Sequence, residues 1–353
     1  MTLTPLPFHP DDEIIEEGEE ETFRRLASVM DFGTHHARDA DRSHGRRSHA
    51  KCLGALRGEL RVSPDLPPEL AQGLFGSPGG YDVVARLSHL PAERLDDRMV
   101  SSVRGLALRV FGVKGEPLPD HEGGFQDFVL DTGKSFNVRK PATLLAGMGA
   151  VEATGPLPQG FKAAVSHAAR AVNSALDKVG LFSDNLDVLG HKPRHPLTES
   201  YYSQAPLRWG RFVAKFGMIP VATGAVRPIE IDGPDALRSA VQSWCAGNEL
   251  RFTVAAQLRV DAEEMPIEDA HKEWPEELSA YRAVGEVVFA PQDVLDAARE
   301  ELVNSSAFSP WKGIEDHRPL GGIMRARRYV YRHLSEQRFR EMEAAGTGHD
   351  RVP

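Results

Sequence analysis

The residues best suited to chemistry stand near the C-terminal end, in "RRYVYRHLSEQR" at positions 327–338. On a helix, Arg327 and Tyr331 are four residues apart and Arg338 follows seven residues after Tyr331, so the three side chains fall along one face. A phenol has a reference pKa of about 10 and is mostly neutral at pH 7. A permanently charged guanidinium beside it favours the phenolate, a hard anionic ligand suited to ferric iron. The same pattern also serves an ordinary helix that packs one tyrosine on a core and turns its arginines to water.

A second candidate is "RRSHAKC" at 46–52. His49, with a basic residue three positions upstream, reads as an acid/base group, as a metal ligand together with His35, His36 and His44, or as a solvated loop histidine. A zinc site would want a cleaner ligand set, and the only two cysteines, Cys52 and Cys245, are far apart. They imply no disulfide framework either.

The elements that must position these groups are mostly strands. In "ALRGELRV" (55–62), Leu56, Leu60 and Val62 alternate with Arg57, Glu59 and Arg61, the period of two of a half-buried strand. Further strands are expected at 81–90, 104–113, 125–130, 250–260 and 281–290, separated by Gly, Pro and Asp. Helices are expected around "EETFRRLASVM", over 160–180 with Gly180 as its stop, over 291–304 with Asp293 as its cap, and at the C-terminal motif. Many strands without regular strand–helix alternation favour an α+β antiparallel barrel or sheet over a doubly wound fold.

The chain has 353 residues, 41% of them apolar, enough for one large domain or two ordinary ones. Its formal charge is −9, with 42 basic and 51 acidic residues, which argues against nucleic acid as a partner. Much of the acidity sits in "DDEIIEEGEEE" (11–21), most simply a solvated arm. We expect an acidic arm over 1–40, one domain over 41–345 and a flexible tail over 346–353. There is no secretory pattern at the N-terminus and no run of 18 apolar residues, so a cytoplasmic protein without a membrane span is expected.

Taken together, the motifs resemble a known family. "RRSHAK" followed by a strand, then "VVARLSHL", "SSVRGLALRVFGVKGE", "QDFVL…FNVRKP", "EWPEELSAYRAVGEVVF" and Arg327-x-x-x-Tyr331 occur in the order found in haem catalases. The chain is similar, over about 43–342, to the short catalase-related haem peroxidases of the catalase superfamily. That resemblance implies a catalase-like α+β core: an antiparallel β-barrel surrounded by helices, with haem b (heme, Fe) buried between barrel and C-terminal helix. Catalases use a tyrosine as axial haem ligand, and here Tyr331 matches it, with Arg327 matching the arginine that keeps it ionised. His49 matches the distal histidine that moves a proton between the two peroxide oxygens, and Ser88 the serine that orients it. Arg46, Arg86 and Arg338 match the arginines that bind the haem propionates. Attachment would be non-covalent, since no C-x-x-C-H sequence is present.

Three positions depart from that pattern. Asp131 stands where catalases have an asparagine facing the distal histidine; an ionised carboxylate accepts hydrogen bonds and donates none, though an Asp there also reads as turn chemistry. Leu144 stands at the position of the haem-stacking phenylalanine. Ser48 places a hydroxyl before His49, as hydroperoxide-converting relatives do. The implied activity is a peroxidase that uses hydrogen peroxide or an organic hydroperoxide to oxidise a small organic reductant, with weak catalase activity. The alternatives are a fatty-acid hydroperoxide isomerase or dehydratase and a non-catalytic haem carrier or sensor. None of these excludes a homo-oligomer.

Overall fold

The computed structural model describes residues 3–38, 48–90, 94–98, 101–146, 191, 194–221, 226 and 229–344. Arg46, His44 and the helix expected over 160–180 lie outside the described residues, as do the side chains of His35 and His36.

Among the described residues nine strands form one antiparallel sheet: β1 (Cys52–Val62), β2 (Gly79–His89), β3 (Arg104–Val113), β4 (Gly124–Thr132), β5 (Tyr201–Tyr202), β6 (Leu207–Trp209), β7 (Phe212–Pro220), β8 (Leu250–Leu258) and β9 (Arg282–Phe289). Their order is β5-β4-β3-β2-β1-β9-β8-β7-β6, and β5 also pairs with β7. That last pairing closes eight strands into a barrel, with β6 lying beside β5 along the edge of β7. Closure removes the unpaired edges that an open sheet would present.

Alternation decides what fills the barrel. Val83, Ala85 and Leu87 of β2, Leu106, Leu108 and Val110 of β3, and Phe128 and Leu130 of β4 point inward. They meet Phe216, Met218, Phe252, Val254 and Val287 from the far side in one continuous core. Phe128 and Phe216 stack across it with ring centroids 4.1 Å apart. The intervening residues, among them Arg86, Ser88, Gly105 and Asp131, therefore point outward. A functional site built on them lies on the barrel's outer wall.

That wall is covered by helices. The helices include α1 (Glu19–Arg38), α2 (Ala236–Cys245), α3 (Ala297–Ser305) and α4 (Gly322–Ala344). Phe23, Leu26 and Ala27 of α1 recur at helical spacing and pack on Ala326, Val330 and Leu334 of α4. Leu144 is half-buried against this helix pair. Val303 of α3 and Phe308 just beyond it pack on Ala55, Val84, Ala107 and Val129 of the wall.

Two expectations are corrected here. The acidic run is not solvated throughout: Glu13 and Glu19 pair with Arg325 of α4, which also takes Glu268, and Glu13 reaches Arg318 as well. Glu13 and Glu268 further accept from the backbone N–H groups of Gly321 and Gly322, placing negative charge where the helix macrodipole is positive. The cap of α3 is Asp296, whose carboxylate accepts from the Arg299 N–H. Asp293 instead closes a tight turn onto the Leu295 N–H, the other use of a short acidic side chain.

Candidate functional site on the outer wall of the barrel

Ser88, Gly105 and Asp131 occupy one row across three strands: Ser88 pairs with Gly105, and Gly105 with Asp131. Directly opposed residues point to the same face, so a serine and a carboxylate flank a position with no side chain. The imidazole of His49 fills that gap. Its Nδ1 lies 3.0 Å from Ser88 Oγ and its Nε2 lies 3.6 Å from Asp131 Oδ1. The row therefore brings together three of the residues singled out by the sequence, from segments up to 82 positions apart.

His49 is held in an unusual backbone conformation, φ +53°, a left-handed setting that a non-glycine residue adopts only when its surroundings enforce it. Its N–H donates to the Leu90 carbonyl at 2.8 Å, and its carbonyl accepts from Arg86 Nη2 at 2.8 Å. Arg86 is buried, and its Nε donates to Asn304 Oδ1. The main-chain carbonyl of Asn304 accepts in turn from Arg338 Nη1 at 2.7 Å, while Arg338 Nη2 reaches the carbonyls of Ser305 and Ser306. A cation on the last carbonyls of a helix is favoured both by hydrogen bonding and by the macrodipole. Arg86 and Arg338 thus meet at the end of α3, and Asn304 joins the segment carrying His49 to the helix carrying Tyr331.

On α4, Arg327 Nη2 donates to Tyr331 Oη at 2.9 Å. Burial acts to lower the pKa of Arg327, but the charges of Tyr331 and Asp131 and the hydrogen bond to the phenol override it, so the shift is upward. Burial raises the Asp131 carboxyl from 3.8 to about 6, against the pull of the Arg327 charge. The strand row and the helix pair are therefore within electrostatic reach of each other. Asp131 Oδ1 is buried and has no hydrogen-bond partner among the described residues.

A cavity of about 450 Å3 opens beside Tyr331, with Met30, Phe308, Val330, Leu334, Ser48 and Arg338 among its walls. The phenol oxygen of Tyr331, the Arg338 guanidinium and the apolar part of this lining are compatible with a flat iron cofactor, while Asp120, Lys312, Arg328, Arg332 and Glu336 make the rest of the wall charged. Among the described residues no cluster of three or more His, Cys, Asp or Glu could hold a bare metal ion, and no helix is long and apolar enough to cross a membrane.

Gly105 and Asn304 escaped the sequence reading. Neither residue type carries chemistry, and their importance comes from cross-strand register and from a contact between distant segments. One signal existed: Gly105 stands at an outward position within "RGLALRVFGV", and a glycine inside a strand marks close approach of another group.

No family model matches the chain, and no curated protein matches it by sequence. Solved structures do. A bacterial catalase superposes with a TM-score of 0.58 at 16% identity, covering 85% of this chain and 58% of that one. A fungal catalase gives 0.61 at 17% identity, covering 87% and 61%. Catalase A from Saccharomyces cerevisiae gives 0.61 at 16% identity, covering 96% and 67%. The chain spans about six-tenths of the length of the first two. Barrel closure, the helices on its outer wall and these superpositions agree: the chain has a catalase-like α+β fold.

Proposed function

We propose that the protein is a haem-dependent peroxidase that uses hydrogen peroxide or an organic hydroperoxide to oxidise a small organic donor, with weak catalase activity. The observation that carries the reading is the facing pair of devices: the Arg327–Tyr331 hydrogen bond on α4 and, within reach of its charge, the row that holds His49 between Ser88 and Asp131. Haem b would supply the iron that reduces the peroxide by two electrons. Tyr331 Oη would ligate it, and Arg327 would favour the phenolate by donating to that oxygen. Arg46, Arg86 and Arg338 are the propionate partners that the resemblance implies. Arg86 and Arg338 also have the carbonyl partners described above, which fix where their guanidinium groups lie.

On the distal side, His49 Nε2 takes the proton from one peroxide oxygen and returns it to the other, the work of a positioned acid/base group. Ser88 Oγ at Nδ1 holds the ring plane. Asp131 fixes the charge beside Nε2: ionised, it gives an incoming peroxide no hydrogen-bond donor, whereas the asparagine of the catalase pattern would. This difference supports weak dismutation and leaves donor oxidation as the main outcome.

Ser48 at the cavity wall favours one second reading, rearrangement or dehydration of a fatty-acid hydroperoxide without a donor. Steady-state assays of haem-loaded protein distinguish the two. A peroxidase consumes hydrogen peroxide faster when an organic donor is added and evolves little oxygen. Turnover of a lipid hydroperoxide that is independent of donor, with no donor oxidation, would replace the first reading by the second.

A further inference from the structure

The row on the outer wall contains a position whose importance lies in what it lacks. A Cβ built on Gly105 would stand 2.5 Å from His49 Cε1, 2.6 Å from its Nδ1 and 3.0 Å from Asp131 Oδ1. Carbon atoms in van der Waals contact sit about 3.5–4.0 Å apart, so the imidazole and a side chain cannot share this space. The obstacle is a ring, not main chain: no backbone atom is among the three nearest neighbours. Gly105 has no positive φ to require a glycine. The reason for a glycine here is therefore the histidine.

We propose that Gly105 is a positioning residue for the distal acid/base group. By presenting bare backbone at the centre of the Ser88–Gly105–Asp131 row, it lets the His49 ring close onto β3, with Nδ1 at Ser88 and Nε2 at Asp131. Three restraints act on the ring together. The backbone of His49 is pinned by Leu90 and Arg86, its Nδ1 is held by Ser88, and the space for Nδ1 and Cε1 is left open by Gly105. The Gly105 carbonyl also lies 3.4 Å from Ser88 Oγ, so the hydroxyl that orients His49 is itself oriented by the same residue. A methyl group at 105 would lift the ring off the wall and break both side-chain relations at once.

The seat is a property of the folded chain and needs no haem; its effect on turnover rests on the peroxidase reading. The test is a double-mutant cycle on Gly105→Ala and His49→Ala, read first by thermal unfolding of the haem-free protein. In the presence of the ring, Gly105→Ala should lower Tm by roughly 2–6 °C, the scale of an overpacked site in a protein of this size. In the His49→Ala background the two closest contacts of the added methyl are gone and only Asp131 Oδ1 at 3.0 Å remains, so most of that loss should vanish. Should Gly105→Ala be too unstable to purify alone, recovery of a folded protein in the double variant reports the same rescue. An equal Tm loss in both backgrounds overturns the proposal, because the methyl would then be striking something other than His49.

The second reading is turnover at matched haem content. Gly105→Ala should lower kcat for peroxide by about 10- to 100-fold, the scale of an acid/base group displaced by about an ångström, with KM for the organic donor unchanged. In the His49→Ala background it should change nothing further. A preserved melting cycle with undiminished peroxide turnover would keep the seat and overturn its catalytic role.

Discussion

On the proposed reading, Asp131 is the residue at which this site departs most from the catalase pattern. Its carboxyl is raised from 3.8 to about 6 by burial, opposed by the Arg327 charge. A carboxyl raised in the folded state binds its proton more readily there than in the unfolded chain. Folding stability is therefore greatest below pH 3.8 as far as this group is concerned, falls as pH rises to about 6, and is level above that. Asp131→Asn removes the ionisation. In the haem-free protein, the variant's stability relative to wild type should rise across that window by roughly 2–3 kcal/mol, from about 1.4 kcal/mol per pH unit; urea unfolding at pH 4 and pH 7 measures it. A difference that stays constant with pH would mean that Asp131 titrates normally. On activity, the amide supplies a donor to the second peroxide, so oxygen evolution should increase at matched haem loading. Its mirror on the other side is Tyr331→Phe, which should abolish the high-spin tyrosinate spectrum while the fold survives. An unchanged spectrum would move suspicion to Tyr329.

At the scale of elements, α4 must hold Tyr331 still although its polar residues invite water. Its inner face is fixed by α1 through Val330 and Leu334, its middle by Arg338 on the end of α3, and its first turn by Arg325. That side chain is only 14% exposed and has three carboxylate partners, Glu13, Glu19 and Glu268. Removing Arg325 takes the cation from Glu19 and Glu268, while Glu13 keeps Arg318. Arg325→Ala should therefore destabilise the protein by about 3–5 kcal/mol, seen as a lower urea midpoint. An effect below 1 kcal/mol would show the cluster to be solvated. The acidic N-terminal run consequently has a structural task, since two of its glutamates clamp the helix that carries the phenol.

At the scale of the whole molecule, the barrel supplies a rigid wall, and its outer face, not its interior, is where chemistry can be done. The interior is filled by side chains, so on the proposed reading the ligand sits between wall and helices. A cofactor bound there touches β-strand and helix together and stabilises the assembled state by mass action, by about 2.7 kcal/mol at a hundredfold excess over Kd. Adding haem should accordingly raise the unfolding midpoint of wild type in a concentration-dependent way, saturating at one haem per chain. Arg327→Ala should blunt that rise, because Tyr331 Oη loses the hydrogen bond that the guanidinium donates. An undiminished rise would show that this hydrogen bond takes no part in holding the cofactor.

By itself the sequence determined the elements whose faces see different surroundings. The alternation of apolar and polar residues marked β1 and β8 plainly, because one face of each meets the core, and apolar stretches between Gly, Pro and Asp outlined β2, β3, β4 and β9. The ordered motifs around His49, Ser88 and the Arg327–Tyr331 pair were legible too, since spacing along one strand or one helix is a local property. β7 was not: Phe212 to Met218 is buried on both faces, so its composition carries no alternation. Strands β5 and β6, of two and three residues, are too short to show a period. What only the tertiary structure decided is register and convergence. Whether Asp131 faces His49 depends on β2, β3 and β4 pairing without slippage at this row, and a shift of one residue would send the carboxylate into the core. Gly105 matters only because a ring from a distant turn lies over it, and Asn304 only because two arginines from different elements meet there. These are relations between segments set by long-range packing, and no single segment contains them.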